Sequence, residues 1–258
     1  MKSIESDPID FWPKLKQSYT MTNHSILSVG LRIMHLQSIN VSKPKLRRFG
    51  FKLYTTAFLK KTVQGPVFLT QDNLNGDKQA DLMNHGGNDK AVYAFSTEHH
   101  NYWKQKLGIN HIDYGKFGEN LSISGLNESD IAIGDRIQIN DCILEVSQPR
   151  IPYYKISFEF KDMSMLNNFI SYAHTGVYFR VIQTGTMTAN SPVEVIYKHP
   201  DKITVKNLFR AYFDSQFPDQ ENVMRTAIAI PELAEAWRSK IVQIVHRIDL
   251  YHQRQNKG

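Results

Sequence analysis

Short runs of β-forming residues, separated by turn residues, dominate the chain from residue 26 to residue 197. The separating residues are those that tight turns favour: Gly65-Pro66, Asn75-Gly76-Asp77, Gly86-Gly87, Gly134-Asp135, Asn140-Asp141 and Gly185. Closely spaced turns between short strands are typical of β-barrels and β-sandwiches. Near Gly134, isoleucines at 131, 133, 137 and 139 occupy alternate positions, as in a strand with one buried face. The sequence therefore predicts a mainly β fold with a barrel or sandwich architecture.

Two helices are expected within this β pattern, and a helical region after it. The first should lie between Ser96, a capping residue, and Gly108, a terminating residue. The second is predicted over residues 155–172, where apolar residues recur at helical spacing. The last helix of the C-terminal region should start at Pro231. The predicted organisation has three parts: an N-terminal arm (1–25), a barrel domain (26–200) and a small three-helix domain (201–258).

The charge distribution favours an anionic partner. The 258-residue chain has 31 basic and 25 acidic residues, a net charge of +6. Seven lysines and arginines, and no acidic residue, lie between Lys43 and Lys61. This cluster indicates a phosphate-bearing ligand or nucleic acid, although a solvated strand face produces the same pattern. The C-terminal helices carry no recognition-helix signature, so a nucleic-acid partner is not expected.

Several classes of site and location are disfavoured. The single cysteine, Cys142, excludes an internal disulfide and any multi-cysteine metal site within one chain. No HExxH motif is present, so the sequence predicts no zinc site. No apolar run reaches the roughly 18 residues that span a bilayer, so no membrane contact is expected. The N-terminal MKSIESDPIDFWPKLKQSYT has acids and prolines where a signal peptide is apolar, which favours a cytoplasmic protein.

Two glycine-containing turns are candidates for ligand binding. His85 precedes Gly86-Gly87, where backbone N–H groups can converge on an anion. In Gly118-Glu119-Asn120, a carboxylate and an amide can hydrogen-bond a polar heterocycle. Either stretch could instead be a simple turn whose side chains bond to the adjacent backbone.

Arg150 is the sharpest candidate for contact with a ligand. It lies between Pro149 and Pro152, which stiffen the backbone around it. Its guanidinium could hold a phosphate or a pterin carbonyl, although a surface arginine after a strand is the alternative. Thr175, which precedes Gly176, offers a hydroxyl next to a residue without a side chain. This pair is also consistent with an anion site.

Five stretches, in order and spacing, resemble the MOSC domain family, the C-terminal domain of molybdenum cofactor sulfurases. They are GDKQADLMNHGGNDKAVYAF, FGENLSISGL, IGDRIQI, VSQPRIPYYK and TGVYFRV. The stretch IPELAEAWRSKI resembles the three-helix domain of the bacterial YiiM-type branch. The resemblance implies a β-barrel that binds the molybdenum cofactor, a pterin with a phosphate tail, in a positively charged cleft. It also implies reduction of N-hydroxylated compounds, such as hydroxylaminopurines, with electrons from a partner protein.

The resemblance also implies roles for residues named above. The expected cofactor contacts are His85, Gly86, Gly87, Gly118, Glu119, Asn120, Arg150 and Thr175. His85 and Tyr153 are the residues expected to act in catalysis.

Tyr153 is a departure from the family's pattern. The residue after the second proline of QPRxP is a cysteine in that pattern, and its thiolate binds molybdenum; here the position is Tyr153. A phenol with a pKa near about 10 is a hard, protonated donor. Cys142 should lie roughly 20 Å away if the segment is extended, so it is not expected to substitute.

Three functions remain open after this departure. The protein could be a molybdenum-dependent reductase that uses no cysteine ligand. It could be a non-redox binder or carrier of molybdopterin or of another phosphate-bearing ligand. It could also be a pyridoxal-phosphate enzyme in which Lys90 or Lys155 forms a Schiff base.

Overall fold

The structure is a computed structural model that describes residues 33–80 and 86–256. Residues 1–25, the predicted arm, lie outside the described residues, as does His85. From Ile33 onwards the described residues belong to one compact unit.

Twelve β-strands form within the described residues. They are β1 (Met34–Val41), β2 (Lys45–Phe49), β3 (Lys52–Thr56), β4 (Lys61–Thr62), β5 (Val67–Leu69), β6 (Val92–Ser96), β7 (Leu121–Ser124), β8 (Arg136–Ile139), β9 (Cys142–Pro149), β10 (Val177–Gln183), β11 (Gly185–Met187) and β12 (Ser191–Tyr197).

Seven of these strands close into a barrel, which confirms the mainly β prediction. Around the ring the order is β1, β12, β8, β9, β10, β6 and β7, and β7 pairs again with β1. Met34 lies opposite Val193 at the closing pair. Within the ring only β6 and β7 are parallel. A parallel pair needs a long crossover connection, and the crossover here contains the first helix.

Six α-helices accompany the strands in the described ranges. They are α1 (His99–Leu107), α2 (Lys155–Phe160), α3 (Met165–Tyr172), α4 (Val205–Phe213), α5 (Gln220–Ala229) and α6 (Glu235–Gln255). None of the described helices is both long enough and apolar enough to cross a membrane.

The prediction of one helix over residues 155–172 is wrong, because the segment forms two helices. The first, α2, ends at Lys161, whose φ of +54° is left-handed. Asp162 then accepts a hydrogen bond from the backbone N–H of Ser164 at 2.8 Å, at the start of α3. Short acceptor side chains of this kind compete with continued helix. The apolar spacing persists across the break because both helices bury the same side of the segment.

The remaining helix boundaries follow local chemistry with small shifts. Gly108 ends α1 with φ +64°, as predicted. Ser96 is not a cap: it is the last residue of β6, and its hydroxyl donates to the Glu98 carboxylate at 2.6 Å. The last helix begins at Glu235 and not at Pro231.

Two apolar clusters stabilise the fold. The larger fills the barrel and includes side chains with no exposure, such as Leu36, Ile123, Ile137 and Phe179. The smaller is aromatic, and packs α1 and α3 against the outer side of β6. All five residues of β6 are therefore buried. Burial on both faces explains why this strand reads as a continuous apolar run.

Candidate functional site

A cleft opens where the ends of three barrel strands meet two connecting segments. Tyr93 on β6, Tyr178 on β10 and Arg150, just after β9, form its inner wall. Phe58, between β3 and β4, and Tyr153, just before α2, also line it. The predicted residues Gly118, Asn120, Arg150 and Tyr153 are thus brought together at one site.

Arg150 is the buried cation of this cleft, with only 8% of its surface exposed. Its Nη1 donates to the Phe117 carbonyl at 2.6 Å and to the Tyr93 hydroxyl at 2.9 Å. Its guanidinium carbon lies 4.7 Å from the Tyr93 ring centre and 5.2 Å from that of Phe58. The guanidinium makes no further hydrogen bond to residues 33–80 or 86–256. Its remaining N–H groups can therefore bind a carbonyl or phosphate oxygen.

The C-terminal helices help to hold the backbone before Arg150. The indole Nε1 of Trp237, in α6, donates to the Pro149 carbonyl at 3.0 Å. The backbone N–H of Ala234 donates to the Ser147 carbonyl, also at 3.0 Å. Trp237 is 1% exposed, so this contact is fully desolvated. The helices therefore fix the strand end that carries Arg150, although they do not line the cleft.

Tyr93 connects Arg150 to the turn before β10. Its hydroxyl donates to the Thr175 carbonyl at 2.7 Å, which leaves the oxygen to accept from Arg150. Burial raises the pKa of the Tyr93 phenol above its ordinary value, so the group stays protonated. Thr175 is 1% exposed and reaches the site through its backbone carbonyl. Its role as a direct cofactor contact remains a prediction.

A buried ion pair lies at another wall of the cleft. Lys60 Nζ is 2.5 Å from Asp77 Oδ2, and the side chains are 8% and 2% exposed. Asn120 donates to the same Asp77 oxygen at 2.8 Å, and its own Oδ1 accepts from the Tyr93 backbone N–H at 3.1 Å. Burial lowers the pKa of Lys60 although Asp77 opposes the shift. Asn120 is thus committed to internal bonds.

Glu119 is fully buried and holds the loop that precedes β7. Its carboxylate accepts from the backbone N–H groups of Gly115 and Phe117 at 2.7 and 3.0 Å. Burial raises its pKa, whereas these hydrogen bonds oppose the rise. By bonding to Phe117, Glu119 positions the carbonyl that receives Arg150. Its direct contact with a cofactor remains a prediction.

The glycine turn before β6 approaches the cleft through Lys90. Gly87 has φ +93° and leads into a 3-10 turn, Asn88–Lys90, of which Lys90 lines the cleft. The turn is tied to β10 because Asp89 forms an ion pair with Arg180 at 2.6 Å. Gly86 and Gly87 themselves are not among the lining residues.

Tyr153 occupies the mouth of the cleft, with 51% of its surface exposed. Its ring centre lies 4.4 Å from that of Tyr154. Lys155 also lines the cleft, and its Nζ is 3.4 Å from the Thr55 carbonyl. Cys142 is buried in the barrel core, and burial raises the pKa of its thiol to about 11. The only cysteine of the chain is therefore far from a thiolate state and does not line the cleft.

Sequence reasoning missed Tyr93, Tyr178, Lys60 and Asp77. The first two are alternate-facing tyrosines of buried strands and carry no local signal for a site. Lys60 belongs to the basic run already noted, and Asp77 belongs to a turn. Their pairing depends on a contact between residues 17 positions apart, which no short motif records.

A second polar network lies outside the cleft. Glu128 is completely buried; its Oε2 is 2.8 Å from His99 Nε2 and 2.9 Å from His174 Nδ1. The other nitrogens of these rings face the Tyr172 hydroxyl at 3.1 Å and the Lys206 ammonium at 2.8 Å. Every ring nitrogen thus has a protein partner, so hydrogen bonding alone accounts for the cluster.

Comparison with known proteins places these features in context. The family model described as "MOSC domain" matches residues 81–194. An uncharacterized protein YflK of Bacillus subtilis is 32% identical over 82% of this chain and 94% of its own length. Protein YiiM of Escherichia coli is 30% identical over 70% of this chain and 81% of its own length.

Two further matches bear on activity and fold. A protein named "Reductase" from Gibberella moniliformis is 30% identical over 60% of this chain, but the match covers only 28% of that protein. The crystal structure of YiiM from Geobacillus stearothermophilus superposes with a TM-score of 0.69. That superposition covers 82% of this chain and 99% of the other, at 28% identity.

Proposed function

Because this chain belongs to the MOSC domain family, we propose that its cleft binds a phosphate-bearing pterin of the molybdenum-cofactor class. The observation that carries the proposal is Arg150. It is a buried guanidinium whose open edge lies beside the rings of Tyr93 and Phe58. A planar heterocycle with carbonyl groups and an anionic tail complements such a wall, because it can stack and accept hydrogen bonds at once.

Each part of the ligand has a complementary group in the cleft. Arg150 would receive a pterin carbonyl or a phosphate oxygen, and Tyr93 would keep the guanidinium in plane through its hydroxyl. Lys90 and Lys155 line the same cleft and would attract the phosphate tail. Gly118 would let the ligand approach the backbone, because a side chain there would meet the Phe58 carbonyl. The bound cofactor would supply two-electron chemistry.

The donor set fits the pterin and its phosphate, but does not fit thiolate ligation of the metal. Tyr153 offers only a phenol, and Cys142 is buried in the barrel core. A soft thiolate is the ligand type that the family pattern supplies at this position. We therefore assign the residues a binding role and derive no chemical step at the metal.

The binding proposal is tested by replacing Arg150 with alanine. Losing a charge-assisted contact should weaken retention of the pterin by about 1.5 to 3 kcal/mol, or roughly 10-fold to 150-fold. Protein from a host that makes the cofactor would be denatured, and the released pterin and molybdenum measured per chain. Arg136→Ala is the matched control, since Arg136 pairs with Glu145 and does not line the cleft. Equal pterin content in both variants would remove Arg150 from the site.

A second candidate function is reduction of N-hydroxylated compounds, with electrons supplied by a partner protein. It is favoured by family membership and by the fungal relative named "Reductase". The competing function is a non-redox carrier of the same pterin, and it is favoured by Tyr153 at the cleft mouth. A pyridoxal-phosphate enzyme has weaker support, although Lys90 and Lys155 both line the cleft.

Replacing Tyr153 with cysteine distinguishes reductase from carrier. If the cleft otherwise accepts the cofactor, the thiolate should raise the reduction of a hydroxylaminopurine about tenfold or more, the order of effect that one well-placed metal ligand produces. A chemically reduced dye would supply the electrons. Tyr153→Ser is the matched control, because it removes the ring without adding a thiol. Wild-type activity equal to that of the cysteine variant would show that the missing ligand is unimportant.

A further inference from the structure

A second cavity, of about 790 Å³, is separate from the cleft except that Lys60 lines both. Six basic side chains line it: Lys45, Arg47, Lys60, Lys61, Lys104 and Lys116. They come from β2, from the start of β4, from α1 and from the loop before β7. The volume lies within the roughly 300 to 1,000 Å³ usual for small-molecule sites. The basic run of the sequence thus faces a concave space with basic residues from elsewhere in the chain.

The positive charge of this cavity is largely uncompensated. Asp113 is the one acidic residue among its lining residues, and it pairs with His111 at 2.9 Å on the exposed rim. Lys60 is neutralised by Asp77. Within residues 33–80 and 86–256, no ion pair involves Lys45, Arg47, Lys61, Lys104 or Lys116. Like charges held around one space repel each other, and a multivalent anion would remove that repulsion.

His100 gives independent evidence of the field in this cavity. It lines the wall, is 9% exposed, and its Nε2 has no hydrogen-bond partner in the part of the chain that the structure describes. Burial lowers its pKa to about 4, and the charges of His99, Lys104 and His111 add to the effect, whereas Glu98 opposes it. His100 is therefore neutral at physiological pH.

We propose that this cavity binds a small-molecule ligand that carries two or more linked phosphate groups. Five unpaired cations exceed the charge of one phosphate, whereas a di- or triphosphate can contact several of them at once. Leu59 and Ile112 add apolar surface beside the charges. The site goes beyond the proposed pterin cleft, since Arg150, Tyr93 and Tyr153 do not line it.

The test uses inorganic tripolyphosphate as the probe, with calorimetric titration at low salt. Tripolyphosphate should bind more tightly than pyrophosphate, and pyrophosphate more tightly than orthophosphate. The double variant Lys61→Gln/Lys104→Gln should bind about tenfold or more weakly, since it loses two charged contacts. Lys106→Gln is the matched control, because Lys106 lies on α1 but does not line the cavity.

A spectroscopic readout separates this site from the cleft. Bound tripolyphosphate should raise the pKa of His100, followed by NMR of its ring protons, because the anion offsets the field of Lys104 and His111. Arg150→Ala should leave this response intact, and the double variant should keep its pterin. Tripolyphosphate affinity unchanged in the double variant, or a His100 pKa unmoved by the ligand, would overturn the proposal. Tighter binding of a single-stranded oligonucleotide of equal charge would also overturn it.

Discussion

Replacement of Gly176 with alanine is expected to lower the free energy of unfolding by about 2 to 5 kcal/mol. Gly176 has φ +83°, which a side chain disfavours. An added Cβ would lie 2.5 Å from the Ala94 carbonyl and 2.6 Å from Cε2 of Tyr93. Both neighbours belong to buried β6, so they cannot move without disturbing the barrel wall. Urea unfolding monitored by circular dichroism would measure the loss.

The same substitution should also damage the cleft. The Tyr93 hydroxyl would lie 2.8 Å from the new Cβ, and this hydroxyl accepts the hydrogen bond from Arg150. Displacing it should reorient the guanidinium, so the variant should retain less pterin than wild type. Gly108→Ala is the matched control, since Gly108 also has positive φ but no atom lies within 4 Å of its added Cβ. Equal losses of stability in the two variants would show that the overlap with Tyr93 is unimportant.

Replacement of Glu128 with glutamine should destabilise the fold by about 3 kcal/mol near neutral pH. The carboxylate accepts hydrogen bonds from both histidines and, through Oε1, from the backbone N–H of Gly176 at 3.0 Å. An amide of the same size cannot accept all three, and the removal of its charge leaves Lys206 without its nearby opposing charge. Unfolding in urea at pH 7 would test this.

The loss caused by Glu128→Gln should depend on pH in a defined direction. Burial by itself would raise the pKa of Glu128, but attraction to His99 and hydrogen bonds from both histidines outweigh burial and lower it. A group whose folded pKa is lowered stabilises the fold above its unfolded pKa, about 4.3, and this contribution disappears as the pH falls towards the folded pKa. The difference between wild type and variant should therefore be greatest above pH 5 or so and narrow in acid.

A surface carboxylate provides the comparison for this experiment. Glu235 pairs with Arg238 at 3.3 Å, but its side chain is 75% exposed. Glu235→Gln should scarcely change stability at any pH, because solvent screens such pairs. A difference between wild type and Glu128→Gln that stays constant from neutral pH into acid would contradict the assigned role of the Glu128 charge.

Some features of this protein are readable from local sequence because their causes are local. Alternating isoleucines around Gly134 predict a strand, since successive residues point to opposite faces. Gly108 ends α1 as predicted because its left-handed conformation favours glycine. The motifs around Arg150 also carry the family resemblance, and they reveal that Tyr153 replaces the expected cysteine. Each of these conclusions depends on residues a few positions apart.

Other features depended on contacts between distant residues. The sequence could not tell that Glu119 is buried and bonded to backbone N–H groups, because a carboxylate in a turn is equally compatible with a ligand contact. Nor could it pair Lys60 with Asp77, or place Tyr93 against Arg150. Buried polar groups must find partners, but several partners are available to each until the strands are ordered.

The sequence by itself determined the type of fold, the family and the absence of a thiolate at position 153, since these follow from residue identity and short-range periodicity. Only the tertiary structure decided which cations share a surface. Closure of β1 onto β12 and the crossover between β6 and β7 bring residues from five segments to the cleft and its neighbouring cavity. The physical reason is that a strand's neighbours are chosen by the burial of the whole barrel, which no local pattern encodes.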